Sequence, residues 1–282
     1  MRRAKPEMNP PAPAWPSRLL LVGCGNMGGA MLAGWLAGGL APERFTILDP
    51  ALAAAPAGVR LLRAPEAAAG GGWDALLLGV KPQLLDAVAP TLAPLIDSES
   101  VVMSILAGVE LASLATRLPR ARTRLRIMPN LAAAIGKSPV ALVGQGLGAA
   151  QRAAITALMQ PLGTPEWLGD ERLLDAVTAL AGSGPAFVYR FIAALAEGGV
   201  ALGLPGDQAL RLARAMVEGA SALALAAADD PATLARRVAS PGGTTEAGLA
   251  VLDRDAALTR LVTACLVAAR DRGAQMAEAS RG

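Results

Sequence analysis

An uncharged apolar run, Leu19 to Val22, passes directly into Gly23-Cys24-Gly25-Asn26-Met27-Gly28 and then into a helical pattern, Met27 to Leu40. This join constrains the fold more than any other stretch. A strand that turns so sharply into a helix needs a residue free of Cβ sterics at the turn. The helix then opens with amides that have no internal partner, at the positive end of its dipole, where a phosphate is well held. The Gly-x-Gly-x-x-Gly spacing, with acidic Asp49 closing the next apolar run Phe45–Leu48, is that of a dinucleotide-binding turn. Gly23 then permits the tight turn, Gly25 admits the pyrophosphate, and Gly28 lets helix and strand close together. Asn26 and Met27 complete the cofactor-binding turn. Asp49 either accepts from the ribose hydroxyls, which favours NADH, or is a turn residue before Pro50. Arg44, Arg60 and Arg63 are near enough in sequence to reach a 2′-phosphate, so NADPH and NADH both stand.

The same alternation continues. Val59–Leu62, Ala75–Val80, Val101–Leu106, Leu125–Met128, Val140–Val143 and Pro165–Leu168 read as short strands, several apolar throughout, as buried parallel strands are. Helices read at Pro82–Ile96, Leu111–Leu118 and 151–159. After Asp170 the strands stop, and 171–181, 185–202, 207–228, 232–238, 245–252 and 256–279 read as helices. The expected fold is α/β: an N-terminal Rossmann domain, a doubly wound parallel sheet, followed by a C-terminal all-α dimerisation domain. The expected boundaries are a disordered leader at 1–16, a dinucleotide-binding domain at 17–170 and a helical substrate and dimerisation domain at 171–282. Two domains suit 282 residues. The hydrophobic share is 53% with aromatics at 3%, so alanine supplies most of it and helices of small residues are expected. Several late helices are apolar on more than one face, which predicts a homo-oligomer formed through them.

Composition excludes several chemistries. The chain has no histidine, so no imidazole relay is available and the commonest metal ligand is missing; no metal is expected. Its two cysteines, Cys24 and Cys265, are far apart, and a reducing, cytoplasmic location is expected. A formal charge of +3 comes from scattered Lys and Arg without a basic stripe. That argues against nucleic acid and suits an anionic substrate. Leu19 to Leu40 is uncharged and long enough to span a bilayer, yet seven glycines and Asn26 break it, so no membrane is expected.

Three strand ends converge on the carboxyl edge, where ligands bind in doubly wound sheets. They are Gly79-Val80-Lys81-Pro82, Ser104-Ile105-Leu106-Ala107-Gly108 and Met128-Pro129-Asn130. Lys81 contacts cofactor or substrate anion, or only solvates the loop. A second anion-binding start lies late in the chain, Ser240-Pro241-Gly242-Gly243-Thr244-Thr245, where two glycines precede a helix opening on threonines.

Taken in order, Gly23 to Gly28, Val80-Lys-Pro-Gln83, Ser104 to Val109, Met128 to Asn130, Gly182-Ser-Gly-Pro-Ala-Phe187 and above all Ser240 to Thr245 resemble the pyrroline-5-carboxylate reductase family, from about Leu19 to the C-terminus. The resemblance implies hydride transfer from NADPH or NADH to 1-pyrroline-5-carboxylate, giving L-proline, in interlocked homodimers that often build decamers. It implies that Val80, Lys81, Pro82, Ala107 and Asn130 bind the cofactor. The amides of Gly243, Thr244 and Thr245 would hold the substrate carboxylate, and catalytic Thr245 would hydrogen-bond the ring nitrogen. Ser183 lines the substrate pocket or merely caps a helix. The chain departs from the family's usual pattern after Asn130, with Leu131-Ala132 where many members have Thr-Pro, and just before the late loop, where Arg237-Val238-Ala239 replaces an asparagine found in some. A hydroxyacid or 6-phosphogluconate-type dehydrogenase is the alternative enzyme, but those need a lysine on the second domain, and none follows Asp170. A non-catalytic NAD(P)-binding regulator is the other alternative.

Overall fold

Leu19–Val22 forms strand β1, whose four side chains are all buried, and its neighbours form by the same apolar logic. A computed structural model describes residues 15–279; the leader expected at 1–16 lies outside the described residues except for half-buried Trp15 and buried Pro16. The first half contains α1 (Asn26–Ala37), β2 (Phe45–Leu48), β3 (Arg60–Leu62), β4 (Ala75–Leu78), α2 (Leu85–Leu92), β5 (Val101–Ser104), α3 (Leu111–Arg117) and β6 (Thr123–Met128). It continues with β7 (Ser138–Gln145), α4 (Ala149–Met159), β8 (Gly163–Trp167) and α5 (Leu174–Val177). The helical remainder comprises α6 (Gly184–Ala201), α7 (Gly206–Ala226), α8 (Pro231–Val238), α9 (Thr244–Asp253) and α10 (Ala257–Ala279).

The sheet runs β3-β2-β1-β4-β5-β6-β7-β8, and its first six strands are parallel, as expected of a doubly wound domain. The expectation of a wholly parallel sheet needs one correction: β7 runs antiparallel to β6, and β8 is parallel to β7. The connection from β6 to β7, residues 129–137, is too short for a crossover helix, so the chain can only double back. It holds a 3-10 turn, Leu131–Ile135, that the sequence pattern did not signal.

Apolar layers cover both faces of the sheet. One holds Leu20, Leu76, Leu92 and Val102; the other holds Leu19, Leu21, Trp35, Phe45 and Leu77. Burying each such side chain contributes about 1.5–3 kcal/mol. Trp35 stacks on Phe45 with ring centroids 5.4 Å apart, and its indole N–H donates to the Leu158 carbonyl at 2.8 Å.

Two helices expected as continuous are broken. The 82–96 stretch is a 3-10 turn, then α2, then a second 3-10 turn, with Pro90 inside α2 and Pro94 in the last turn removing ladder donors. The 171–181 stretch is a 3-10 turn, the single-turn α5 and a π turn over Thr178–Gly182. There the Ala181 carbonyl accepts from Asn130 Nδ2 at 3.0 Å.

The described residues divide into two compact units, one of residues 15–182 with 272–279 and one of residues 183–271. In the second, α6 and α7 pack on each other across a turn in which Gly203 has φ +99° and Leu204 N–H donates to the Gly199 carbonyl. In the single chain this unit leaves large apolar side chains in water. Phe187, Tyr189 and Phe191 are exposed, and Leu202 and Leu225 are 90% and 85% exposed. A surface of that kind needs a cover. The helical run 171–201 is also long and apolar enough to cross a bilayer.

Candidate active site

The turn after β1 is built as its spacing predicts. Gly23 has φ +84°, and a Cβ there would stand 2.9 Å from the Val80 nitrogen and 3.0 Å from Gly79 carbon and oxygen, all backbone. A side chain is excluded both by conformation and by space. At Gly28 a Cβ would meet the Gly23 oxygen at 3.1 Å, so the start of α1 lies close against the turn. Gly25 differs: no atom lies within 4 Å of a Cβ built there. Gly25 also lines the cleft that opens beside this turn. Gly25 is also the N-cap of α1 and offers no side-chain cap; the first internal bond is Gly29 N–H to the Gly25 carbonyl. The amides of Asn26, Met27 and Gly28 are therefore left for a ligand.

A cleft of ≈ 620 Å³ opens beside this turn, within the range of cofactor sites. It brings together Gly23, Gly25, Asp49, Val80 and Lys81 of the expected residues. The Lys81 side chain makes no ion pair among the described residues. Asp49 is held on three sides. Its Oδ2 accepts from Cys24 N–H at 2.9 Å, and its Oδ1 accepts from the amides of Ala51 and Leu52 at 2.9 and 3.2 Å. Burial pushes the Cys24 thiol up from its ordinary value, and the Asp49 carboxylate adds to that, so the thiol is kept protonated.

Of the three arginines near Asp49 in sequence, the fold brings only Arg63 to the cleft. Its guanidinium donates to the carbonyls of Pro50 and Ala53, each at 3.1 Å. Arg44 and Arg60 line a cavity at the opposite edge of the sheet. Sequence reasoning missed the apolar wall of the cleft, Leu84, Ala87 and Val88. A helical repeat beginning after Pro82 was the signal that could have found it.

The other expected residues take different places. Pro82 opens the 3-10 turn before α2. Ala107 lies in the turn after β5, where Ser104 Oγ accepts from Leu106 N–H at 3.2 Å, and it does not line the cleft. Asn130 is buried, with its amide engaged in structure: Oδ1 accepts from Ala132 N–H at 2.9 Å and Nδ2 donates to Ala181. Buried Arg126 pairs with Glu171 at 2.8 Å, and the same carboxylate oxygen accepts from Leu111 N–H at the start of α3. Ser183 precedes α6, and its hydroxyl makes no capping bond.

In the second unit the late glycine loop forms the start of α9. Gly242 has φ +70°, and a Cβ on Gly243 would lie 2.9 Å from the Ser240 oxygen. The Gly243 amide donates to that same oxygen at 2.9 Å, so it is engaged within the turn. Glu246 reaches back to accept from Gly242 N–H at 2.6 Å, fixing the loop from inside the helix. Ala247 N–H donates to the Gly243 carbonyl at 3.2 Å, which leaves the amides of Thr244, Thr245 and Glu246 as the open donors at the positive end of the helix. No threonine hydroxyl caps α9.

A six-strand parallel run in the order 3-2-1-4-5-6, with a glycine turn and an acidic residue at its switch point, defines a Rossmann-type oxidoreductase. Residues 171–276 match the family described as pyrroline-5-carboxylate reductase dimerisation, and 18–108 match NADP oxidoreductase coenzyme F420-dependent. Pyrroline-5-carboxylate reductase of Pseudomonas aeruginosa is 36% identical over 266 residues, covering 93% of this chain and 97% of the relative. The solved structure of a pyrroline-5-carboxylate reductase from Coxiella burnetii is 28% identical with a TM-score of 0.85 over 92% of this chain and 98% of that one. The Plasmodium falciparum enzyme, solved with NADP bound, shares the fold at a TM-score of 0.78 and 22% identity, over 93% and 98%. The chain belongs to the pyrroline-5-carboxylate reductase family.

Proposed function

We propose that this protein reduces 1-pyrroline-5-carboxylate to L-proline with NADPH or NADH. The observation that carries the reading is family membership along nearly the whole chain, joined to the open amides at the starts of α1 and α9. When bound, the reduced nicotinamide supplies the hydride. The chain's own part is to hold and orient. The amides of Asn26, Met27 and Gly28 would take the pyrophosphate, while Asp49 would accept from the ribose hydroxyls and Val80 and Lys81 would border the cofactor. Ala107, with only a methyl, would leave room beside the ring, and Pro82 and Asn130 would keep the flanking turns in place.

The substrate is a cyclic imine carrying a carboxylate. Thr244 and Thr245 would bind that carboxylate through their amides, with Gly243 shaping the turn. The Thr245 hydroxyl would help to hold the carboxylate and would donate to the ring nitrogen of the product amine once hydride transfer has given it a lone pair, and Ser183 would line the substrate pocket. The imine nitrogen takes up its proton in solution, so the site needs no strong acid, which accords with a chain that lacks histidine. Rate enhancement then comes chiefly from orientation, with about 3–3.5 Å between hydride donor and imine carbon.

The apolar faces of α6 and α7 are covered by a second copy of the chain in this reading, rather than by lipid. The dimers build decamers, and the enzyme works in the cytoplasm without a nucleic-acid or membrane partner. The expected domain roles follow: cofactor at 17–170, substrate and dimerisation at 171–282. Steady-state assays with each cofactor test the reaction. Oxidation of NADH or NADPH on addition of 1-pyrroline-5-carboxylate, with none on addition of hydroxyacids, is expected. Turnover of hydroxyacids alone, or cofactor binding with no turnover, would sink the assignment.

A further inference from the structure

Glu246 is the only charged residue between Arg237 and Asp253, and it stands in the first turn of α9, beside the open amides. An acid in the first turn suits the helix dipole, yet it opposes any anion bound at the same amides. The side chain is exposed, makes no ion pair among the described residues, and reaches back to accept from Gly242 N–H at 2.6 Å.

A glutamate at this place in a helix ordinarily accepts from the amide of the N-cap residue. Here the N-cap is Gly243, and its amide already donates to the Ser240 carbonyl at 2.9 Å. Glu246 takes the next amide back instead, on Gly242, whose φ of +70° turns the chain. A Cβ on Gly243 would lie 2.9 Å from the Ser240 oxygen and 3.4 Å from the Ser240 Cβ, so the turn is closed by packing as well as by bonds. Both glycine amides are thus engaged inside the loop, and those of Thr244, Thr245 and Glu246 stay open.

We infer that Glu246 is a positioning residue of the substrate site, with two effects on what binds there. Its hydrogen bond locks the Gly242-Gly243 turn, which holds the Thr244 and Thr245 amides in the direction that receives a carboxylate. Its negative charge makes the same seat selective: it admits a single carboxylate and disfavours dianions such as sulfate or phosphate, which a bare helix start binds well. This role rests on the reading that places the substrate carboxylate at the start of α9. Consecutive Cα atoms are about 3.8 Å apart, so a carboxylate bonded at Gly242 stands about 5–8 Å from an anion on the Thr244 and Thr245 amides. At that range in a watery surrounding, one negative charge on the ligand costs about threefold in affinity and two cost about tenfold.

Two variants separate the bond from the charge. Glu246→Gln keeps a carbonyl acceptor for Gly242 N–H and removes the charge, whereas Glu246→Ala removes both. Reduction of 1-pyrroline-5-carboxylate by the full chain is followed at saturating cofactor and constant ionic strength, with sodium acetate or sodium sulfate as competitor. In Glu246→Gln the inhibition constant is expected to fall about threefold for acetate and about tenfold for sulfate, with KM for the imine equal to the parent's or lower. In Glu246→Ala, KM for the imine is expected to stand about tenfold above that of Glu246→Gln, because the released turn no longer aims its amides. KM for the cofactor is expected to stay within about twofold in both, a split that general loosening of the fold would not give. Acetate and sulfate constants that shift equally or not at all overturn the inference, and so does an equal imine KM in Glu246→Ala and Glu246→Gln. A parent that reduces no imine removes the reaction and this role together; an active parent with parent-like variants removes this role alone.

Discussion

Two glycines, two residues apart, are expected to fail in opposite ways. In Gly23→Ala the new Cβ would sit at φ +84° and 2.9–3.0 Å from backbone atoms of Gly79 and Val80. The positive φ costs about 1–3 kcal/mol, and the overlap, against rigid backbone at the end of β4, about 1–3 more. The expected loss is about 2–6 kcal/mol, which lowers the melting temperature by about 5–20 °C for a domain of this size. Gly25→Ala meets nothing within 4 Å and keeps an extended backbone, φ −73° and ψ −160°. Its weaker N-cap and its less flexible unfolded chain nearly offset, so its melting temperature is expected to move by no more than about 3 °C. The same methyl would stand where the pyrophosphate approaches the α1 amides, and KM for the cofactor is expected to rise about 10–100-fold, equivalent to about 1.4–2.8 kcal/mol. Thermal melting and steady-state kinetics on the two purified variants read these numbers. A Gly25→Ala enzyme with an unchanged cofactor KM would refute the placement of the pyrophosphate, and a Gly23→Ala protein melting like the parent would refute the packing argument.

Thr245→Ala is expected to lower turnover or substrate affinity at least tenfold while cofactor affinity holds within about twofold, because one hydrogen bond to a charged group is worth about 1.5–3 kcal/mol; parallel loss of both would move the carboxylate site elsewhere. Asp49→Ser removes a fixed negative charge from the ribose end of the cleft and leaves up to two amides without an acceptor. The kcat/KM ratio of NADPH to NADH is expected to rise about tenfold, at a cost of about 1–3 kcal/mol in stability, and an unchanged ratio in paired assays would show that Asp49 does not face the ribose.

Asp49 itself shows how two sequence-level readings can share one side chain. Its three amide bonds make it the turn residue before Pro50, yet it remains on the wall of the cleft, in reach of a ligand. Asn130 shows the reverse. Its position at a strand end marked it as a cofactor contact, but its amide ties the 3-10 turn to Ala181, fifty-one residues later, and no local pattern announces such a bond.

The local covalent pattern by itself determined where the strands and most of the helices lie, the tight turn at Gly23 and the glycine turn at Gly242, because periodicity and φ preference act between neighbours in the chain. Only the tertiary structure decided that β7 reverses direction, that Arg63 faces the cleft while Arg44 and Arg60 face away, and that Gly243 spends its amide within its own turn. These depend on the register between strands and on which donors are already satisfied. Both are settled by contacts between residues that the sequence keeps far apart.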